Sequence, residues 1–205
     1  RQDLAEAWDL DPSGSPVHLF ELDGSPCDTM IVALDGGLKH LLGDVQPQLV
    51  VSGINLGPNL SQDSYHSGTM GAAREAGLYG VPALASSFTQ FDTEGMEQAV
   101  KATVEAVEKV TALLPRVAAN VTRPEGAMDT TYFSSWPAPA NDDRWLDHPY
   151  ASLLNAFANG DLMLNLNVPP TWDGTWAATR LGVRWYRNAV RFDPDGEEEV
   201  ATFTI

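Results

Sequence analysis

The feature that most constrains this chain is a short apolar segment that leads into a loop of amides and glycines. Residues 48–52 predict a buried strand, and residues 53–60 (GINLGPNL) follow it with two asparagines and two glycines. A second turn, Ser67-Gly68-Thr69, then begins a helix. This order predicts amide oxygens, hydroxyls and free backbone N–H groups at one end of a sheet, where a divalent metal and a phosphate can both bind.

Strands and helices alternate along the rest of the chain. One helix has a clear start, because Ser25 can cap it, Pro26 fits its first position and Asp28 stands three residues after the cap. That helix is predicted to end near Gly37 or to continue to Leu42. The alternation is typical of an α/β fold with three α/β/α layers, a doubly wound, mostly parallel sheet and a small β arm. The other predicted helices are 68–78, 94–114 and 150–158, and the predicted strands are 17–22, 48–52, 81–86, 162–169, 177–187 and 198–205.

The helix predicted over residues 94–114 has the clearest periodicity. Glu97/Lys101 and Glu105/Lys109 are pairs of opposite charge four residues apart, which favours a helix. Apolar residues at helical spacing mark one face. These residues are Met96, Val100, Val104, Val107, Val110 and Leu114.

We divide the chain into three parts. Residues 1–115 are predicted to form the α/β core that carries the metal and phosphate loops. Residues 116–160 contain four prolines and are predicted to be an irregular insertion, whose Trp136 and Trp145 we expect to pack the insertion rather than cover a pocket. Residues 161–205 are predicted to supply the last core strand and the start of the β arm.

Composition excludes several classes of partner. The net charge of −16 makes binding to nucleic acid or to an anionic membrane unfavourable, because both need basic patches. No apolar run reaches the roughly 18 residues that a membrane span needs, and no secretory signal pattern is present. Cys27 is the only cysteine, which rules out a disulfide within the chain and fits a reducing compartment. We therefore expect a cytoplasmic protein.

The residue types around the two turns suit a metal and a phosphate. Asn55 is predicted to lie just past the carboxyl end of a strand, and its amide oxygen is a hard ligand suited to Mg²⁺ or Mn²⁺. Asn59 could orient a phosphate oxygen, Ser67 and Thr69 offer hydroxyls, and Gly68 leaves the N–H groups of the helix unobstructed. Asparagine and glycine are also common in plain turns, and Ser-Gly-Thr is a common helix cap, so the pattern alone leaves both interpretations open.

The order and spacing of several segments resemble the SurE family of metal-dependent survival-protein nucleotidases. The spacing from Ser-Gly-Ile-Asn to Ser-Gly-Thr is the most specific of these similarities, and the match covers roughly residues 17–114 and 160–205. The segments that carry the resemblance are 24–28 (GSPCD), 51–55 (VSGIN), 57–60 (GPNL), 67–69 (SGT), 71–75 (GAARE), 80–87 (GVPALASS), 164–169 (LNLNVP) and 191–196 (RFDPDG).

The resemblance implies a metal-dependent phosphomonoesterase, a 5′-nucleotidase or acid phosphatase. Its substrates would be nucleoside 5′-monophosphates, with 3′-monophosphates as a further class, and its cofactor Mg²⁺ or Mn²⁺. By the same resemblance Asn55 is a metal ligand, and Asn59, Ser67, Gly68 and Thr69 bind the phosphate. A homodimer or homotetramer is also implied, with no nucleic-acid or membrane partner.

The sequence departs from the family pattern at three places, one of which is the insertion at residues 116–160, which is longer than expected for the family. The family's N-terminal strand ends in Asn-Asp-Asp-Gly, whose aspartates are metal ligands, and no such segment occurs here. We expect Arg1 to follow that segment, and we therefore assign no catalytic residue within this sequence. The alternative is a non-catalytic member that binds nucleotide or phosphate without the aspartate pair. His66 stands where the family usually has tyrosine, and we expect a harmless aromatic replacement.

Overall fold

The centre of the molecule is a parallel sheet of three strands. The computed structural model describes residues 17–114, 147–183, 190–192 and 201–203, and every structural statement below concerns those residues. The sheet has the order β1-β2-β3, with β2 in the middle and buried along its whole length. The strands are β1 (Val50–Leu56), β2 (Ala83–Phe88) and β3 (Met163–Val168).

Helices precede, connect and follow these strands. A helical segment before β1 consists of α1 (Pro26–Val32), a π-helical turn (Ala33–Gly37) and α2 (Leu38–Leu42). A separate antiparallel pair near the end of the chain is formed by β4 (Val190–Phe192) and β5 (Ala201–Phe203). The remaining helices are α3 (Asp63–His66), α4 (Gly68–Leu78), α5 (Met96–Leu113) and α6 (Ala151–Ala158).

Helices cover both faces of the sheet. Because successive side chains of a strand point to opposite faces, alternate residues of β2 belong to two different clusters. Ala83 and Ala85 pack with Ala73 and Ala76 of α4 on one face. Phe88 packs on the other face, where the cluster also contains Ala99 and Ala102 of α5 and Val168 of β3. The predicted three-layer α/β/α arrangement with a parallel sheet is therefore confirmed.

The start of the first helix is confirmed in detail. Ser25 caps α1, Pro26 is its first residue, and the Asp28 carboxylate accepts hydrogen bonds from the N–H and the hydroxyl of Ser25 at 2.8 and 2.7 Å. The helical path continues to Leu42, and Gly36 interrupts it with a φ of 107°. Both predicted ends therefore correspond to real features, a kink near Gly37 and a final end at Leu42.

One strand prediction is wrong, a second is wrong over its described part, and two need new bounds. Residues 17–22 form no strand, because an alternating segment is stable as a strand only when a neighbour pairs with it. Of the strand predicted at 177–187, residues 177–183 form none, and the rest lie outside the described residues. The strand predicted at 48–52 starts later and extends to Leu56, and the one predicted at 81–86 lies two residues further along.

The burial predicted for two elements also needs correction. β1 is an edge strand of the described sheet and is only partly buried, whereas residues 48–52 predicted a strand buried on both faces. In α5 the buried side chains are small ones, Ala99, Ala102, Thr103 and Ala106. Val100 and Val104 of the predicted apolar face are exposed, because close packing on the sheet leaves room for alanine and excludes the larger side chains.

The short helix and last core strand predicted near residues 150–158 and 162–169 are present as α6 and β3. Trp136 and Trp145 lie outside the described residues, as does most of the predicted insertion. The strand predicted at 198–205 corresponds to β5 over its described part, and β5 pairs with β4. The three-part division of the chain stays a prediction.

Candidate active site at the carboxyl edge of the sheet

Three polar residues lie side by side near the carboxyl ends of the three strands. Asn55 of β1 is in register with Ser87 of β2, which is in register with Asn167 of β3. We call these three residues the polar row. Ser87 follows Ala85 by two positions, so the row faces the layer that contains α4. In open α/β sheets this edge is where ligands bind.

A register shift in β1 brings Asn55 into the polar row. The pairing with β2 is irregular between Ser52 and Asn55, and Gly53 has a φ of 121°. A Cβ on Gly53 would collide with the carbonyl oxygen of Ser86, so only glycine allows the two strands to approach here. Asn55 therefore lies within β1, one residue before its end, and the predicted position beyond the strand is wrong by a small margin.

The Asn55 side chain is held from both ends of its amide. Its Nδ2 donates to the carbonyl oxygen of Gly57 at 2.7 Å, and its Oδ1 accepts from the Thr69 hydroxyl at 3.2 Å. An amide oxygen has two lone pairs, so Oδ1 can still accept a second partner. The structure therefore brings together Asn55 and Thr69, two residues that the sequence places in separate turns.

The first turn of α4 is built as a capped helix start. Ser67 has extended backbone, and its hydroxyl oxygen accepts the Met70 N–H at 3.1 Å. Gly68 and Thr69 are the first two helical residues, whose N–H groups have no carbonyl partner within a helix. A Cβ on Gly68 would lie 3.0 Å from the Cγ of Pro26, so the glycine also lets α1 approach this turn. Such a helix start favours an anion.

Asn59 is almost completely buried, with 3% of its surface exposed. Its Nδ2 donates to the Ser87 hydroxyl at 2.7 Å. Its backbone N–H donates to the Asn167 Oδ1 at 2.8 Å, and its carbonyl oxygen accepts from the Asn165 Nδ2 at 2.9 Å and the Asn167 Nδ2 at 3.3 Å. Two side chains of β3 thus bind the main chain of one loop residue, which fixes the loop after β1 against the polar row.

Sequence reasoning missed the part that Ser87, Asn165 and Asn167 play here. The signal was present, because β3 alternates asparagine with apolar residues over its second half and β2 places Ser86 and Ser87 before its last residue. Buried polar side chains need partners, and the fully buried Ser87 bonds to Asn59, while Asn167 donates to Asn165 within β3. What the pattern could not supply was the register that makes them neighbours.

The turn between the two loops is fixed by an arginine. Arg74 of α4 donates from its guanidinium to the carbonyl oxygen of Ser64 at 2.6 Å. The Ser67 N–H donates to the carbonyl oxygen of Asp63 at 2.9 Å, and the Asp63 Oδ2 accepts the Leu60 N–H at 3.2 Å. These bonds connect α3 to the loop before it and to the helix after it, so Ser67 is held from both sides.

The residues present do not by themselves make a divalent metal site. Mg²⁺ and Mn²⁺ prefer carboxylate oxygens, with neutral oxygens as additional ligands. Among the residues that the structure describes, no three His, Cys, Asp or Glu side chains come together as a candidate metal cluster. Asn55 Oδ1 is a neutral oxygen with a lone pair left for a cation, and its neighbour Thr69 adds only a hydroxyl.

Comparison with known proteins gives consistent similarities. The family model described as "Survival protein SurE" matches residues 5–188. The chain is 34% identical to a 5′-nucleotidase SurE of Carboxydothermus hydrogenoformans, across 93% of this chain and 56% of that protein. It is 32% identical to a 5′-nucleotidase SurE of an Anaeromyxobacter species, across 89% and 57%. It therefore spans a little over half the length of these relatives.

A solved structure of a SurE protein from Aquifex aeolicus is also similar. That similarity has 32% sequence identity over 48% of this chain and 42% of that chain, with a TM-score of 0.39. The α/β fold of this chain is established by its own parallel sheet and strand register. In the described part of the molecule, no helix has the length and apolar character needed to span a bilayer.

Proposed function

The chain belongs to the SurE family, and from this premise we propose that it carries the phosphate-binding half of a metal-dependent 5′-nucleotidase. The reaction would be hydrolysis of nucleoside 5′-monophosphates to nucleoside and phosphate, with 3′-monophosphates as a further substrate class. The relatives named 5′-nucleotidase SurE support the reaction class. Because the chain spans a little over half of their length, the activity is a proposal for the whole protein.

One observation carries the proposal. The capped start of α4 lies against the polar row, and Thr69 from that start donates to Asn55 of the row. A helix start supplies unpaired N–H groups and a partial positive charge, and both favour the phosphate of a monoester. The neighbouring amide oxygen provides a ligand of the type that a divalent ion accepts.

Each candidate residue receives a separate role in the proposal. The N–H groups of Gly68 and Thr69 would donate to phosphate oxygens, and the Ser67 hydroxyl would add a further donor while it keeps the Met70 N–H. An amide nitrogen has two hydrogens, so Asn59 Nδ2 can serve a phosphate oxygen with the one that does not bind Ser87. Donors fixed before the substrate arrives stabilise charge that develops on the phosphoryl oxygens.

For the metal we propose one ligand only, Asn55. When bound, a divalent ion at this edge would polarise the phosphoryl group and favour ionisation of a water molecule. The carboxylates that such an ion needs are not grouped among the described residues. The choice of Mg²⁺ or Mn²⁺, a homodimer or homotetramer, and a cytoplasmic location are further parts of the proposal that rest on the family resemblance.

The test is an assay of the full-length protein with 5′-AMP and p-nitrophenyl phosphate, with and without added Mn²⁺ or Mg²⁺. We expect metal-dependent release of phosphate from both esters. Asn55→Ala should lower kcat/KM by more than about 100-fold, since even the outer-shell partners of a metal are worth 10- to 100-fold. Asn155→Ala, on α6 and away from the polar row, is the control and should keep wild-type rates.

Two results would contradict the proposal. Wild-type rates in Asn55→Ala would show that Asn55 is not a metal ligand. A full-length protein that binds 5′-AMP but releases no phosphate with either metal would leave only the alternative, a non-catalytic nucleotide-binding member of the family.

A further inference from the structure

An aromatic side chain stands exposed at the same edge of the sheet. Phe91 follows the end of β2 by three residues, and 73% of its surface is exposed. Among the described Phe, Tyr and Trp side chains it is the most exposed. Single exposed apolar side chains are common on protein surfaces, but this ring lies at the edge of the sheet where ligands bind, and its flat face suits a flat apolar partner.

A continuous line of contacts joins this ring to the start of α4. Thr69 donates to Asn55, and Asn55 donates to the carbonyl oxygen of Gly57. Gly57 in turn faces the ring of Phe91, because a Cβ on Gly57 would lie 2.8 Å from the ring's Cε1. The glycine, with a φ of 110°, therefore lets the ring lie against the main chain beside Asn55.

The charges around Phe91 indicate which end of a nucleotide it would meet. Asp92 and Glu94 are exposed in the same loop, and Asp92 accepts the Glu94 N–H at 3.0 Å. Two carboxylates repel a phosphate group but do not oppose an uncharged ring. The phosphate would therefore be held at the start of α4, and the uncharged end of the substrate would extend towards the loop of Phe91.

We propose that Phe91 is a specificity-determining residue, the surface on which the aromatic base of a nucleoside monophosphate stacks. The inference rests on the proposed function, because it places the base of the same substrate whose phosphate binds at α4. Stacking of a base on an aromatic side chain is sequence-tolerant, since every base has a π face. Phe91 thus selects nucleotides over other phosphomonoesters and discriminates weakly among the bases.

Tyr65 is the competing candidate. It lies on α3, two residues before the Ser67 cap, and 69% of its surface is exposed. The carbonyl oxygen of Asp63, in the same helix, accepts the Ser67 N–H, so α3 adjoins the turn proposed to bind the phosphate end of the nucleotide. The contacts of Phe91 with the Asn55 side of the site favour Phe91 over Tyr65.

The experiment compares two substrates that differ only by the base, 5′-AMP and ribose 5-phosphate, on the full-length protein. Phe91→Ala should raise KM for 5′-AMP by roughly 5- to 150-fold and leave kcat/KM for ribose 5-phosphate unchanged, because stacking acts on the base alone. Phe91→Trp should restore the wild-type KM for 5′-AMP. Tyr150→Ala, which removes a 65% exposed aromatic side chain at the residue just before α6, is the matched control and should change the kinetics of neither substrate.

Each outcome decides a separate question. Failure of the wild-type protein to hydrolyse either ester contradicts the proposed function. Hydrolysis of both esters with equal kcat/KM, or an equal loss for both in Phe91→Ala, contradicts the stacking role and leaves the proposed function intact. Separation of the two substrates by Tyr65→Ala instead of Phe91→Ala would assign the base to Tyr65 and overturn the inference.

Discussion

The two helices that cover opposite faces of the sheet begin in different ways. α4 begins after a serine cap, and its first turn reaches Asn55 through the Thr69 hydroxyl. α5 begins after Gly95, which has a φ of 83° and provides no side-chain cap. A Cβ on Gly95 would lie 3.0 Å from the Pro170 Cβ and 3.1 Å from its carbonyl oxygen, so Pro170 lies against the start of α5. Of these two helices, α4 alone has a first turn that contacts the polar row.

The inner faces of the same two helices are much more alike. Both bury alanines against the sheet, Ala73 and Ala76 from α4 and Ala99 and Ala102 from α5. Each helix therefore fulfils the same packing role in a three-layer fold. Packing thus explains the fold on both faces of the sheet in the same way. The proposed phosphate binding differs between the faces because of how α4 begins.

Among the changes that compare the two helices, the largest effect should come from the hydroxyl that joins α4 to the polar row. Thr69→Val keeps the shape of the side chain and removes the bond to Asn55 and a candidate phosphate donor. We expect kcat/KM for 5′-AMP to fall by about 100-fold, the lower end for loss of one preorganised donor. Steady-state kinetics of the full-length protein measure this.

The equivalent change on α5 provides the control. The Thr111 hydroxyl bonds to the Val107 carbonyl of its own helix at 2.7 Å, so Thr111→Val should stay within about twofold of wild type. Equal losses in the two variants would show that the start of α4 has no special role.

Close packing of α4 is expected to have the next largest effect. A Cβ on Gly77 would collide with the carbonyl oxygen of Gly160, which is main chain and cannot turn aside. Gly77→Ala should therefore destabilise the protein by about 1–3 kcal/mol, although alanine is intrinsically the better helix former. Gly182→Ala, with nothing within 4 Å of its Cβ, should change stability by less than about 0.5 kcal/mol. Urea unfolding followed by circular dichroism compares them, and a more stable Gly77→Ala would contradict the predicted clash.

The amides of β3 provide a finer comparison within the α4 side of the sheet. Asn167→Ala removes the acceptor of the buried Asn59 N–H, so the unfolding free energy should fall by about 2 kcal/mol. Asn165→Ala removes one donor to the Asn59 carbonyl oxygen, which keeps the Asn167 Nδ2 and the Ser64 hydroxyl, and the loss should be about 1 kcal/mol or less. The same urea titrations rank the two variants, and the reverse order would show that the N–H bond does not dominate.

The fold was predictable because its signals are local. The cap of α1, the helices α4 and α5 and the strand β3 follow from capping residues and periodicity, and all four are present. The buried face of α5 was not predictable in the same way. Valines at helical spacing indicate an apolar face, but the distance between helix and sheet decides whether alanine or valine packs there, and that distance is a property of the assembled molecule.

The candidate site was predictable in composition and only partly in arrangement. Asn55, Thr69 and Asn59 could be named because each belongs to a sequence segment with recognisable chemistry. The bond between Asn55 and Thr69 depends on the irregular register of β1, and the bonds from Asn167 to Asn59 span 108 positions of the chain. No single segment of the sequence encodes which residues pair across strands, so the polar row could be identified only from the structure.

The smallest expected effect is the pH dependence of two exposed carboxylates, one on each side of the sheet. The hydroxyl and the N–H of Ser25 lower the pKa of Asp28 in α1, which packs against α4. On α5, hydrogen bonds from Lys109 and then Trp176 lower the pKa of Glu105. A lowered pKa stabilises the folded state above the ordinary value, and this stabilisation is lost as the pH falls through the lowered pKa.

Acidification should therefore weaken α1, through Asp28, and α5, through Glu105. The loss of stability should be greater for Asp28, on the α4 side of the sheet. Asp28 makes two hydrogen bonds within a capping box, whereas Glu105 pairs with Lys109 in an exposed ion pair, and exposed pairs contribute little. Asp28→Asn should lower the urea midpoint more at about pH 6 than at about pH 3, and Glu105→Gln should do so to a smaller extent. The contradicting result is a pH-dependent change in the urea midpoint that is as large in Glu105→Gln as in Asp28→Asn, or larger. It would show that the capping box of α1, the helix beside α4, contributes no more stability than a surface ion pair on α5.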